Sequence, residues 1–321
     1  MKKSTVDLIC EKILASRRIV ITSHLRPDGD SICTSLALYF IGKQLGKKMA
    51  IINKDKTPSP FSRFPDIEKI KIGLIPPNYY DLVILLECAN ISRSGQKYTQ
   101  DYYLINIDHH YSNDLYADIN WVDPEASAVA ELAFQLAEKL NISFTTQIAN
   151  NLYCAIVSDT GSFQFSNTRA ESFKVCFELI KKGADPFRIS ELLFNNNSPE
   201  KIKLLGKVLS TLKMKENGQI TVISMFKKDL SSLNLTEVDT EDIITLARSI
   251  KGVKIVLFFK EIDKDVFRVS VRSKGTTNAA LVAEHFGGGG HIHAAGFTVS
   301  GDYNSLLNEI PKTVFEILNK A

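Results

Sequence analysis

The sequence predicts an α/β protein built from two domains. In the first half, strand-like apolar runs alternate with amphipathic helical stretches, which is typical of a mainly parallel sheet flanked by helices. A polar cluster at 195–199 interrupts this pattern, and a second, smaller α/β pattern follows it. The length of 321 residues is sufficient for two domains.

Each element is predicted from its local periodicity. In the first domain, we expect helices at 5–16, 31–45, 126–140, 145–156 and 170–182, and strands at 17–24, 47–53, 81–87 and 102–108. In the second domain, we expect strands at 219–226, 253–259 and 267–273, and helices at 236–250, 276–286 and 303–319. The domains are expected to span 1–190 and 206–321, joined by a linker at 191–205.

The composition is that of an ordinary globular protein. Hydrophobic residues make up 44% and charged residues 23% of the chain, and the net charge of +3 does not by itself indicate a nucleic-acid partner. No apolar run reaches the ~20 residues of a membrane span, and Asp7 and Glu11 interrupt the N-terminal stretch where a signal peptide would be apolar. The five cysteines lack CxxC spacing, so we expect reduced packing residues and a cytoplasmic protein.

The six histidines fall in only three places, at His24, at His109–His110 and at 285–293. The first lies in SHLRPDGD, residues 23–30. A purely structural interpretation makes Pro27 and Gly29 a turn and Asp30 a helix N-cap. That interpretation does not explain His24 or Asp28.

Polar residues end several predicted strands at one edge of the sheet. His24, Glu87 and the pair Asp108–His109 each close a strand, and sites in open α/β sheets form outside the carboxyl ends of the strands. Loops carrying Asp28, Asp30 and Asp159 are expected to reach the same edge. So many carboxylates repel one another unless cations are bound. Carboxylates and imidazoles without thiolates favour manganese or a similar ion, and two such ions suit phosphoryl displacement.

The second domain carries features suited to a phosphate. Arg272, Ser273 and Lys274 end a predicted strand, and HFGGGGHIHAAG follows a helix at 285–296. Exposed amides of Gly288, Gly289 and Gly290 form an anion nest, to which Arg272 and His291 add charged hydrogen bonds. A dinucleotide-binding loop is excluded because the glycines follow a helix, not a strand. A glycine-rich loop without a ligand remains an alternative, and His285 and His293 are weaker candidates.

The motifs SHLRPDGD, LLEC, IDHH, SDTG and GGGGHIHAAG resemble, in this order, those of the DHH phosphoesterase family, in its DHH/DHHA1 branch. The resemblance covers nearly the whole chain. It implies two divalent metal ions, foremost Mn²⁺, with candidate ligands in two pairs and a shared set: His24 with Asp28, Asp30 with His109, and Glu87 with Asp159 between or beside both. The family often has Asp where this chain has Glu87, which leaves the bridging geometry open.

The resemblance also implies roles next to the metals. Asp108 is expected to orient a ligating histidine, and His110 to contact the scissile phosphate or donate a proton. Arg93, in ISRSG, is either a phosphate contact or an exposed surface arginine. The second domain is expected to bind the nucleotide end of the substrate.

The compact length is similar to that of branch members that convert 5′-phosphorylated di- to pentanucleotides into mononucleotides. Those members also dephosphorylate 3′-phosphoadenosine 5′-phosphate (pAp). The expected partners are short RNA or DNA oligonucleotides or small nucleotides, with no membrane partner. A phosphodiesterase of linear or cyclic dinucleotides is the alternative within the family. A non-catalytic nucleotide sensor is disfavoured because every ligand position is filled. The sequence leaves a homodimer open.

Overall fold

The computed structural model describes residues 3–97, 101–236, 238, 240–290 and 292–320, and it confirms an α/β fold. The chain divides into a first unit up to Asn196 and a second unit from Asn197. Among the described residues, no helix combines the length and the apolar character that crossing a membrane requires. All five cysteines are buried and free, as expected from the sequence.

The first unit is built on a six-stranded, wholly parallel sheet with strand order β3-β2-β1-β4-β5-β6. Its strands are β1 (Arg18–Ser23), β2 (Lys48–Asn53), β3 (Ile70–Ile72), β4 (Leu82–Leu86), β5 (Leu104–Asp108) and β6 (Ile119–Val122). Its helices are α1 (Thr5–Ala15), α2 (Gly29–Gln44), α3 (Val129–Lys139), α4 (Thr146–Asp159), α5 (Ala170–Lys181) and α6 (Pro186–Phe194).

The sheet is apolar on both faces, which is why its strands read as continuous hydrophobic runs. In β4 every residue is buried: Leu82, Ile84 and Leu86 pack against the helices, whereas Val83 and Leu85 join a second apolar cluster. The strand order reverses between β1 and β4, and such a switch point leaves an opening at the carboxyl ends of the strands.

The second unit contains a mixed sheet with strand order β11-β12-β10-β9-β8-β7, in which β8 and β9 pair in parallel and the other pairs between described strands are antiparallel. Its strands are β7 (Lys213–Lys215), β8 (Ile220–Met225), β9 (Ile255–Asp263), β10 (Val266–Ser273), β11 (Gly289–Gly290) and β12 (Ala294–Ser300). Its helices are α7 (Pro199–Ser210), α8 (Lys227–Ser231), α9 (Glu241–Ser249), α10 (Ala279–His285) and α11 (Tyr303–Lys320).

The segment expected to be a linker differs from the prediction. Residues 191–205 hold the end of α6 and the first half of α7, so that only 195–198 connect the two helices. Asp185 and Ser198 cap these helices, and a proline follows each cap. The domain limits 1–190 and 206–321 stay a prediction.

Candidate metal and phosphate site

Strand register places three polar residues in one row at the carboxyl edge of the first sheet. Ser23 pairs with Leu86, and Leu86 pairs with Ile107, so the residues that come next are also neighbours. These are His24, Glu87 and Asp108, which are 7%, 1% and 0% exposed. The edge of the sheet therefore gathers buried polar groups that the apolar core cannot satisfy.

His24, Asp28 and Glu87 form a first group of potential metal ligands. The Nε2 atom of His24 lies 3.6 Å from a carboxylate oxygen of Asp28 and 3.6 Å from one of Glu87. The other ring nitrogen, Nδ1, is 2.8 Å from the Leu25 carbonyl, which fixes the ring and turns Nε2 toward the carboxylates. Asp28 caps α2, a role that the structural interpretation of the sequence gave to Asp30.

Asp30, Glu87 and His109 form a second group, which shares Glu87 with the first. The Nε2 atom of His109 lies 3.4 Å from Glu87 and 3.7 Å from Asp159, while its Nδ1 contacts the Ala126 carbonyl at 3.1 Å. Asp30 lies in the first turn of α2 and Asp159 is the last residue of α4, so neither lies on the loop that we expected.

Close packing between α2 and α4 brings these helical carboxylates together. Gly29 lies against the end of α4: a Cβ atom at this position would lie 2.0 Å from the hydroxyl of Ser158. Asp30 also accepts hydrogen bonds from Thr34 and from the backbone amides of Val129 and Ala130. Glycine at position 29 thus allows Asp28, Asp30 and Asp159 to approach one another.

Glu87 links the two groups and has an unusual backbone. Its φ is 55°, in the left-handed region that non-glycine residues rarely adopt. Its Oε2 atom is buried without a hydrogen-bond partner in the structure. Strained backbone and an unsatisfied buried oxygen are both costly, and both are found at functional sites.

Without cations, the charges of this cluster would repel one another. Burial, together with the nearby charges of Asp28 and Asp30, raises the pKa of Glu87 well above its usual value. Burial, with the charge of Asp30, raises the pKa of Asp159 to about 8. Burial alone would lower the pKa of His24 and His109, but the surrounding carboxylates raise these pKa values to about 10 and 11.

These observations fit a pair of divalent cations. Two imidazole nitrogens face the cluster, the buried Oε2 atom of Glu87 lies 3.6 Å from Nε2 of His24 without a hydrogen bond among the described residues, and the carboxylates share one small volume. A cation replaces the protons on the histidines and relieves the repulsion between carboxylates. Oxygen and imidazole ligands without thiolates suit manganese or a similar ion.

Asp108 differs from its implied role. Its carboxylate accepts a hydrogen bond from Nδ1 of His110 at 2.7 Å and others from the backbone amides of His109 and His110. The side chain that it orients directly is therefore His110, whereas the Ala126 carbonyl orients the His109 ring. Burial alone would raise the pKa of Asp108, but the bonds from His110 and Asn113 outweigh it and lower that pKa.

Arg93 follows β4 in a short 3-10 turn, Ile91–Ser94, next to the His24 segment. Its carbonyl accepts the amide of Leu25 at 2.6 Å, so the turn is bonded to the strand end that carries His24. Within the described part of the chain, its half-buried guanidinium makes no hydrogen bond or ion pair. Such an arginine at the sheet edge is available to an anion.

In the second unit, the structure describes part of the set of residues that were expected to bind a phosphate. Arg272 makes two hydrogen bonds of 2.7 Å to Glu241, and Lys274 bonds the Ile250 carbonyl at 3.2 Å, so both cations already have partners. Ser273 is buried and bonds the Ile292 carbonyl. His291 lies outside the described residues.

The glycines of the second unit support close backbone approach. A Cβ atom at Gly288 would lie 2.2 Å from the Gly296 carbonyl, and one at Gly290 would lie 2.4 Å from Ala295. Gly289 and Gly290 form β11 against β12, so part of this run is sheet edge rather than an open nest.

Two asparagines support the site and were not predicted. Asn113 donates to the second oxygen of Asp108 at 2.6 Å, and Asn167 donates to the Asp159 carbonyl at 3.1 Å. The only sequence signal for either residue is its proximity to IDHH or SDTG.

Comparison with known proteins agrees with this architecture. Two family models match the chain: the DHH family, N-terminal domain, over residues 18–156, and the DHHA1 domain over residues 217–320. The bifunctional oligoribonuclease and PAP phosphatase NrnA of Thermus thermophilus is 32% identical over 307 residues, which cover 94% of this chain and 91% of that protein.

Solved structures give the same result. An exopolyphosphatase-related protein from Bacteroides fragilis superposes with a TM-score of 0.86 at 26% identity, covering 98% of this chain and 96% of that one. The exonuclease RecJ bound to manganese shares the fold, with a TM-score of 0.55 at 14% identity over 99% of this chain and 95% of that one. With both family domains matched in order and a relative aligned over nearly its full length, this chain belongs to the DHH family, among the members that also carry a DHHA1 domain.

Proposed function

We propose that this protein is a two-metal phosphoesterase that hydrolyses short 5′-phosphorylated oligonucleotides to mononucleotides and dephosphorylates pAp to AMP. The observation that carries the proposal is the pair of ligand groups that share the buried Glu87. Full-length similarity to a protein named as an oligoribonuclease and PAP phosphatase supports the substrate class.

The two groups support an assignment of residues to the metals. His24 and Asp28 would hold one ion, Asp30 and His109 would hold the other, and Glu87 and Asp159 would serve between or beside both. Two divalent ions, foremost Mn²⁺, would supply an acidic water and neutralise charge on the phosphate oxygens.

The remaining side chains position the substrate. Because Asp108 can only accept, Nδ1 of His110 carries a proton and the partly exposed Nε2 edge faces the substrate. There His110 contacts the scissile phosphate and, when protonated, donates a proton to the leaving oxygen. Arg93 contacts a phosphate of the same substrate.

The second unit is proposed to bind the nucleotide end through Arg272, Ser273, Lys274, the glycines 288–290 and His291. Arg272 is then a binding residue that exchanges its Glu241 partner for a phosphate. A cytoplasmic location stays a prediction from the sequence, which leaves a homodimer open.

The proposal is tested by measuring Mn²⁺-dependent mononucleotide release from 5′-phosphorylated RNAs of two, five and twenty-four nucleotides, with pAp and a cyclic dinucleotide in parallel. We expect the dinucleotide to be the best substrate and pAp to be dephosphorylated. Preference for the cyclic compound would assign the chain to dinucleotide breakdown, and metal binding without any hydrolysis would indicate a nucleotide sensor.

Two isosteric acid-to-amide changes give a matched control. Asp159→Asn removes a ligand and should abolish hydrolysis. Glu178→Gln changes a partly exposed glutamate of α5 that pairs with Lys181, and it should leave hydrolysis unchanged.

A further inference from the structure

The loop that follows Asp159 has a strained backbone. This segment, residues 160–167, is called the Asp159 loop below. Three successive residues, Gly161, Ser162 and Phe163, have φ values of 55°, 58° and 64°. Residues with side chains rarely adopt this region, and a run of such residues persists only where the surroundings hold it.

Hydrogen bonds hold the Asp159 loop in place. The carbonyl of the buried Thr160 accepts the amides of Gln164 and Phe165, both at 3.0 Å, and its hydroxyl accepts the amide of Phe163 at 3.1 Å. At the far end, Asn167 bonds the Asp159 carbonyl at 3.1 Å and the Ser127 carbonyl at 3.0 Å. The loop therefore closes back onto a proposed metal ligand.

The two phenylalanines of the Asp159 loop have different surroundings. Phe163 stacks on Phe173 of α5 with ring centroids 4.8 Å apart, which anchors the loop. Phe165 is 48% exposed, and the tip of its ring lies against Gly161, where a Cβ atom would lie only 2.4 Å from it. An apolar ring is thus presented to solvent against a residue two positions from Asp159.

We propose that Phe165 is a base-stacking platform that makes the site selective for nucleotide substrates; this inference rests on the proposed function. Stacking on an aromatic ring raises the affinity for a base by about 5- to 150-fold. It tolerates any base, because every base has a π face. The strained loop is the feature that separates Phe165 from an ordinary exposed phenylalanine.

The test compares 5′-phosphorylated dinucleotides that carry both bases with dinucleotides in which the 5′ or the 3′ sugar lacks its base. Phe165→Leu keeps apolar contact with Gly161 but has no π face, and Phe165→Trp keeps the π face. The control variant is Phe187→Ala. The side chain of Phe187 is 75% exposed. Phe187 belongs to α6. The amide of Asp185, which caps α6, donates to the Asn150 side chain of α4, about 14 Å along that helix from Asp159.

We expect Phe165→Leu to raise KM for the dinucleotide with both bases about 10-fold and to change kcat less than twofold. KM for one of the two abasic dinucleotides should not change, and that substrate identifies the stacked base. Phe165→Trp and Phe187→Ala should behave like the wild type.

If Phe165→Leu raised KM equally for all three substrates, the inference would be overturned, because the ring would then have a structural role. A wild-type enzyme that cleaves all three equally well would also overturn the inference while leaving the proposed function intact. Failure of the wild type to cleave any of them in Mn²⁺ would overturn both.

Discussion

Replacing Asp108 by asparagine tests how the site orients His110. The Asp108 carboxylate is fully buried and accepts four hydrogen bonds, from the His109 amide at 2.7 Å, from the His110 amide at 3.1 Å, from the His110 ring at 2.7 Å and from Asn113 at 2.6 Å. Asparagine has the same shape but only one oxygen. In either orientation its NH₂ group faces at least one donor.

The expected cost follows from these contacts. Losing a hydrogen bond to a charged group costs about 1.5–3 kcal/mol, and leaving a buried donor unsatisfied costs about 1–3 kcal/mol. We expect Asp108→Asn to lower the free energy of unfolding by about 3 kcal/mol and kcat by about 100-fold. Because the pKa of Asp108 is lowered in the folded protein, its stabilisation is present at neutral pH and lost as pH falls through the folded pKa.

The assay is a double-mutant cycle on hydrolysis of a 5′-phosphorylated dinucleotide, with thermal unfolding measured in parallel. The variants are Asp108→Asn, His110→Ala and the double variant. If Asp108 acts through His110, the double variant should be no slower than His110→Ala alone. If the fold-decrease in the hydrolysis rate of the double variant equals the product of the two single decreases, Asp108 does not act through His110.

Three further results are expected. Arg272→Ala should raise KM several-fold with little change in kcat, whereas Arg268→Ala on the same strand should change neither; equal KM values for the two variants would contradict a binding role for Arg272. Since the pKa values of His24 and His109 are raised to about 10 and 11, both rings are protonated in the metal-free protein at neutral pH. Mn²⁺ binding should therefore release at least these two protons, with further release from Glu87 and Asp159, whose pKa values are also raised, and it should tighten as pH rises. Calorimetry in buffers of different ionisation enthalpy measures the release, and zero net release would count against ligation by both rings. Finally, because the pKa of Asp159 is raised to about 8, its carboxyl takes up a proton when the metal-free protein folds at neutral pH, which lowers the stability. Asp159→Asn should unfold a few degrees higher in a chelator while losing activity, and a lower unfolding temperature would show that the carboxylate stabilises the fold.

Long apolar runs allowed the main strands to be predicted, but the edge elements were missed. Strands β1, β4 and β5 are buried on both faces, and their continuous apolar sequences indicate this position inside the sheet. The predictions omitted all four edge strands, β3, β6, β7 and β11. They also omitted the short helix α8 and the strand β12, which lies inside the second sheet and whose first residues the sequence placed in the glycine-rich loop. They also omitted α6 and α7, because the polar cluster at 195–199 resembles a linker and only caps reveal the helices.

The site was predictable to the extent that it depends on strand ends. His24 and Glu87 follow β1 and β4, and Asp108 is the last residue of β5, so the rule for parallel sheets was sufficient to bring them together. The Glu241 partner of Arg272 lies 31 residues away, and no local pattern reveals such a pairing. The left-handed φ of Glu87 and the contacts of Asn113 and Asn167 likewise depend on loops whose geometry tertiary packing decides.

The central claim is that Glu87 joins two metal ions in one cluster. The most direct measurement is the number of Mn²⁺ ions bound per chain when the metal-free protein is titrated, for the wild type and for Glu87→Gln. We expect the wild type to bind two ions, and Glu87→Gln to lose at least one ion or to bind it much more weakly. A wild type that saturates with one ion, or a Glu87→Gln variant that binds two ions with unchanged affinity, would contradict it.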